Sequence, residues 1–95
     1  MQIVWTKAAS DDIDSIEEYI FQDNPKAAIE QVWRIINLVE EHLSANPGMG
    51  RAGRVPKTRE LVVSGSPYIV VYRVKYKVLE IIRVLHGAQQ WPKNR

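Results

Sequence analysis

The order of apolar patterns in this chain predicts an α+β fold, β-α-α-β-β-β, with a helical hairpin packed on a mainly antiparallel, twisted sheet. Three observations carry that prediction. Two adjacent stretches place apolar residues at helical spacing, three later runs are rich in β-branched and aromatic residues, and the links between them are short. Ninety-five residues suffice for one domain with one core, so residues 1–95 read as a single unit.

Gln2–Trp5 has the β-branched and aromatic composition of a short strand. It must join the sheet, because a lone strand leaves its backbone polar groups unpaired. Thr6 can cap a helix by accepting from an orphan N–H. From Lys7 to Gln22, Ala9, Ile13, Ile16 and Ile20 recur at steps of four, three and four, which makes one apolar helical stripe. Asp11, Asp12 and Asp14 lie in its first turns, where they favour the positive end of the helix dipole. Asn24-Pro25 stops this helix and starts another, with Asn24 as cap and Pro25 at the first position, where no N–H is needed. Ala28, Val32, Ile35, Val39 and Leu43 form the second stripe, widened by Ile29, Trp33 and Ile36; the helix is expected to end near Ser44–Asn46. Adjacent amphipathic helices with a short link form an antiparallel hairpin.

Residues 47–57 read as a glycine- and proline-rich loop without regular structure, carrying Arg51, Arg54 and Lys57. Arg59–Val63, Tyr68–Val74 and Val78–Leu85 then read as three strands of a meander, joined through Ser64-Gly65-Ser66-Pro67 and Lys75-Tyr76-Lys77. In the middle strand Tyr68, Val70, Tyr72 and Val74 share one face, and Ile69, Val71 and Arg73 the other. Both faces are apolar near the centre, so the helices should cover one and another segment part of the other. Residues 87–95 form a polar tail with Trp91-Pro92 inside it. Trp91 reads two ways: it folds back on the sheet or helices, or it anchors a partner.

Charge divides the chain. Residues 1–48 hold nine acids against three bases, a net of −6, whereas residues 49–95 hold ten bases against two acids, a net of +8. A positive pole of this kind attracts polyanions or acidic protein segments. There is no cysteine, so disulfides and thiolate metal sites are excluded and a cytoplasmic setting is expected. The N-terminus lacks the pattern of a signal peptide, and the longest apolar run, around Tyr68–Tyr72, is too short to cross a bilayer, so no membrane partner is expected.

Metal chemistry has no motif here: His42 and His86 sit on different elements, and no cofactor is implied. The serines lack a nucleophile context, and the glycines at 48–53 lack the Gly-Lys-Ser/Thr ending of a phosphate loop. The suggestive set is basic. Arg51, Arg54, Lys57 and Arg59 lie before or at the start of one strand, and Arg73, Arg83 and His86 lie on the next two. Neighbouring strands could bring these cations to one concave face. RNA cleavage by 2′-OH attack needs a base, an acid and cations around the transition state; His86 could serve as acid or base and Glu60 as its partner base. The plainer alternatives are a strand-end histidine bonded locally, a Glu60 ion pair with a neighbouring base, and arginine stems covering apolar area.

The stretch Asn46-Pro-Gly-Met-Gly-Arg-Ala-Gly-Arg-Val-Pro-Lys-Thr-Arg-Glu-Leu-Val-Val63, then Pro67-Tyr-Ile-Val-Val-Tyr-Arg-Val74, then Ile82-Arg-Val-Leu-His-Gly-Ala-Gln-Gln-Trp-Pro92 resembles the ParE/RelE-superfamily toxins of bacterial type II toxin–antitoxin modules. The early Ala8–Ile13 and Tyr19-Ile20 agree. The resemblance implies the fold reached above and a cognate antitoxin with an acidic, partly disordered segment. RelE-like members resemble ribosome-dependent mRNA endonucleases with an arginine in the middle strand and a cation with a histidine or tyrosine near the end. In this chain the arginine position falls at Ile69 and the tyrosine position near Gly87, while His86 and Arg83 match the remaining parts. ParE-like members lack that set and poison DNA gyrase. The missing arginine and the Gln-Trp-Pro ending favour ParE, with Arg51, Arg54, Lys57, Arg59, Arg73, Arg83, Gln90 and Trp91 as contact candidates for target or antitoxin. The rival is a ribosome-dependent mRNA endonuclease using His86 with Arg59, Arg73 or Arg83. A third reading is a degenerate, non-toxic antitoxin-binding module.

Overall fold

The computed structural model describes residues 1–87 and 89–92. β1 (Gln2–Trp5) leads into α1 (Lys7–Phe21) and α2 (Pro25–Asn37), and the rest of the sheet follows as β2 (Arg51–Ala52), β3 (Arg59–Val62), β4 (Tyr68–Lys75) and β5 (Val78–His86). The five strands lie in the order β1-β5-β4-β3-β2. All pairings are antiparallel except that of β1 with β5. β1 is parallel because the helical hairpin carries the chain across the sheet before it returns.

Both helix starts follow their caps. The Thr6 side chain accepts from the Ala9 N–H at 3.1 Å, and Asn24 accepts from the Ala27 N–H at 3.1 Å, with Pro25 at the first helical position. α2 runs on into a π-helical segment, Leu38–Leu43, whose end is marked by the Ser44 N–H donating to the Val39 carbonyl. The looser π winding suits residues four apart on one face. Ile35, Val39 and Leu43 are spaced that way, and all three are fully buried.

One core lies between the helices and one face of the sheet. Ala9 and Ile16 of α1 with Ile35, Val39 and Leu43 meet Tyr68, Val70 and Tyr72 of β4 and Leu79, Ile81 and Val84 of β5. Each such aliphatic side chain contributes about 1.5–3 kcal/mol by leaving water. The second helical stripe is narrower than its sequence suggests. Ile29 and Trp33 are 60% and 65% exposed and do not widen the core. Only a limited arc of a helix can touch a sheet, and Ala28, Ile35 and Val39 already fill it.

The 47–57 loop is more ordered than its composition implies. Pro47–Met49 forms a 3-10 turn, and Arg51–Ala52 pairs with Arg59 and Glu60 as a fifth strand. A buried tyrosine organises this segment: Tyr72 Oη donates to the Pro47 carbonyl at 2.7 Å and accepts from the Gly50 N–H at 2.8 Å. A Cβ on Gly50 would lie 2.6 Å from that oxygen, so only glycine allows the approach. The β4–β5 hairpin turns on Tyr76 and Lys77, both with positive φ as a tight two-residue turn requires.

Between β4 and β5 the register shifts by one residue, with Val71 opposite Arg83 and Tyr72 opposite Ile81. Ile82 is the extra residue of a bulge. β1 ends opposite Ile81, and beyond that point α1 closes the free edge of β5. Thr6 Oγ1 donates to the Ile82 carbonyl at 3.0 Å, and the Asp12 carboxylate accepts from the Val84 N–H at 2.8 Å.

Candidate functional site

Register places the predicted cations. Arg51, Glu60, Val71 and Arg83 form one row across β2, β3, β4 and β5. Directly opposed residues share a face, so this row is on the face away from the helices. Arg59 lies opposite Tyr72, on the helix side.

Glu60 is only 2% exposed. Its carboxylate accepts from the Arg54 backbone N–H at 2.9 Å and from Arg54 Nε at 3.2 Å, with Arg51 Nη2 at 3.9 Å. Arg54 Nη1 also donates to the Gln89 carbonyl at 3.2 Å, which ties the C-terminal segment to the loop. Arg59 Nη1 donates to the Gly50 carbonyl at 2.7 Å. Arg73 pairs with Glu80 across the hairpin.

Arg83 faces Asp12. Its Nε and Nη2 donate to the two carboxylate oxygens at 2.7 and 2.9 Å. The hydrogen bond that Arg83 donates to Asp12 raises the Arg83 pKa above its ordinary value, against the opposing effect of burial. The first turn of α1 holds no acid, so Asp12 acts on the sheet and not on the helix dipole. It neutralises one sheet cation and satisfies the open edge of β5. A signal for this existed in the sequence, because Asp12 lies four residues before the buried Ile16 and so on the stripe that meets the sheet.

His86 is exposed at the end of β5, with its ring edge-to-face on Tyr68 at a centroid distance of 5.9 Å. The Gln89 side chain accepts from the His86 backbone N–H at 3.3 Å. His86, Tyr68, Tyr19, Asp12 and Gln89 line a depression of about 380 Å³. Burial raises the Tyr68 pKa above the ordinary tyrosine value.

This geometry corrects the expectation of one converging basic groove. His86 pairs with Tyr68, whereas Glu60 pairs with Val71 on the opposite face. Three residues along the strands and two strands across put them roughly 14 Å apart. Glu60 is thus no partner base for His86. Arg73 lies five residues along β4 from Tyr68, about 17 Å away. Arg54 and Arg51 gather at Glu60, Arg59 turns to Gly50 and Arg83 to Asp12. Lys57 and Gln90 are exposed, and Trp91 is half-buried. The remainder of the predicted tail, Ala88 and residues 93–95, lies outside the described residues. Ile69, in the position expected for a nuclease arginine, is 7% exposed and sits in the sheet interior. Among the described residues no cluster of three or more His, Cys, Asp or Glu side chains could hold a metal, and no helix is long and apolar enough to cross a membrane.

The model of the family described as ParE toxin of type II toxin-antitoxin system, parDE, matches residues 3–91. The chain belongs to that family. Y4kP of Sinorhizobium fredii is 45% identical over 92 residues, covering 97% of this chain and 94% of the relative. Toxin RelE2 of Caulobacter vibrioides is 35% identical over 88 residues, covering 93% and 97%. A chain of the chromosomal ParDE TA system from P. aeruginosa superposes with a TM-score of 0.78 at 31% identity, covering 90% of this chain and 95% of that one. The toxin–antitoxin complex RelBE2 from Mycobacterium tuberculosis shares the fold, with a TM-score of 0.65 at 19% identity and coverage of 93% and 92%. This ParE-family chain is therefore a type II toxin of the ParE/RelE superfamily.

Proposed function

We propose that this toxin is a ParE-like poison of DNA gyrase, acting by grip and not by phosphodiester cleavage. The observation that carries the reading is the arrangement of the would-be nuclease groups. Ile69 stands where the resemblance puts the arginine, Glu60 is buried on the face opposite His86, and Arg83 is neutralised by Asp12. Cleavage needs an acid and a base within hydrogen-bond reach of one substrate and a cation free to meet developing charge. The antitoxin supplies an acidic segment that lies along the basic loop and sheet, where Arg51 and Lys57 are exposed, and it orders on binding.

Expression in bacteria tests this. Gyrase-dependent DNA breaks and growth arrest with intact messages are the expected result; no growth defect would leave only an antitoxin-binding module. A second reading, a RelE-like ribosome-dependent endonuclease, is favoured by one observation: His86 is exposed beside Tyr68 in a depression open to a ligand. Codon-position cleavage of translated messages that disappears in His86→Ala would establish it.

A further inference from the structure

The outer side of α2 presents its largest apolar side chains to solvent. Ile29 and Trp33 are four residues apart on one helical face, and Ile36 continues it. Depressions of about 400 Å³ and about 510 Å³ flank Trp33 on its two sides. A third, of about 260 Å³, opens beyond Ile36 toward α1. The apolar strip thus has pockets on both sides, as an aromatic anchor does at the centre of an interface.

The rim of this strip is acidic. Glu40 and Glu41 border the 510 Å³ depression, Asp14 and Glu40 the third, and Glu30 the 400 Å³ one, where Arg34 is the single base among the lining residues. A chain segment rich in Asp and Glu meets like charge here, so the acidic antitoxin segment does not fit. A segment with apolar residues on one side and Lys or Arg on the other fits both features.

We infer that the Trp33 face of α2 docks a basic amphipathic helix belonging to the toxin's cellular target, leaving the basic sheet and loop to the antitoxin. The inference rests on the toxin reading for the owner of the helix, and on the face itself for the chemistry of the helix. It divides the two partners between the two charge poles of the molecule.

The test uses the full chain and two synthetic helical peptides, one with leucine along one side and lysine elsewhere, the other with glutamate in place of lysine. Titration by NMR should show the lysine peptide shifting α2 resonances around Trp33, and the glutamate peptide leaving them unmoved. The double variant Ile29→Ser/Trp33→Ser should weaken lysine-peptide binding about tenfold or more. Both positions are exposed, so its circular dichroism and melting curve should match the parent. The variant Glu40→Lys/Glu41→Lys keeps the apolar strip and should reverse the peptide preference. No binding of the lysine peptide, equal binding of both peptides, or undiminished binding by the double variant would overturn the docking site. Concentration-dependent self-association that Trp33→Ser abolishes would assign the face to a second copy and also overturn it. In cells, the double variant should lose growth arrest while still co-purifying with the cognate antitoxin; retained arrest, or lost antitoxin binding, would contradict the division of partners. A parent chain that arrests no growth would remove the toxin reading, with the peptide titration still deciding the docking site.

Discussion

On the open face of the sheet, Glu60 meets Arg54 and Arg51, and Arg73 meets Glu80; at the edge of β5, Arg83 meets Asp12. On the outer side of the helical layer, Trp33 and Ile29 are mostly exposed to solvent. The region that looks most reactive in the sequence has much of its charge answered internally, and the region that looks like ordinary core is exposed. Formal charge along a chain says where a field points. It does not say which groups remain available once folding has paired them.

This contrast is sharpened by substitutions that should separate the two regions by size of effect. The largest is expected at Glu60. Glu60→Ala removes a buried carboxylate and leaves Arg54 and its backbone N–H without their partner, a loss of about 3 kcal/mol in unfolding free energy by urea titration. A loss below about 1 kcal/mol would mean that the cluster does not organise the loop. Asp12→Ala comes next, at about 2 kcal/mol, because it removes two charge-assisted bonds to Arg83 and the acceptor for the Val84 N–H. The same variant frees a guanidinium, so its affinity for single-stranded RNA, read by fluorescence polarisation, should rise. Unchanged affinity would break the claim that Asp12 neutralises Arg83.

Tyr72→Phe should remove about 1–2 kcal/mol by leaving the Gly50 N–H and the Pro47 carbonyl without their shared partner. It also carries a pH signature. Burial raises the Tyr72 pKa above 10.0, against the opposing influence of the Gly50 N–H and Arg59. The folded state therefore holds its proton at pH values where the unfolded chain has lost it. That contribution is complete below the unfolded value near 10 and is lost as pH rises past it toward the folded value. Melting temperature should fall above pH 10 in the parent and fall less steeply in Tyr72→Phe. The smallest effect on stability belongs to Trp33→Ser, within about 0.5 kcal/mol, as for an exposed position. A loss several times larger would show that Trp33 is packed and would close the helical face as a partner site.

Much of the fold was legible because local chemistry and pattern agreed. Thr6, Asn24 and Pro25 mark both helix starts, and period-two alternation with short links marks the meander. β2 was not legible, because two residues among glycines carry no pattern; its pairing depends on Tyr72 holding Gly50 from another strand. The buried width of the second helical stripe was not legible, because an apolar residue's place on a helix does not reveal how much of the helix the sheet can cover. Within the candidate site, the identities of the basic residues were visible but their partners were not. Asp12 lies 71 residues before Arg83, and only the course of α1 along the edge of β5 brings them together. The relation of Glu60 to His86 was not legible for a similar reason. A short meander suggests proximity, but β4 separates their strands and the pleat puts the two side chains on opposite faces.

The most direct test of a toxin that grips without cutting is to incubate the purified chain with DNA gyrase and plasmid on one side, and with translating ribosomes on the other. The account predicts accumulation of gyrase-linked broken plasmid and full-length messenger RNA. Shortened messenger RNA with gyrase supercoiling undisturbed would contradict it.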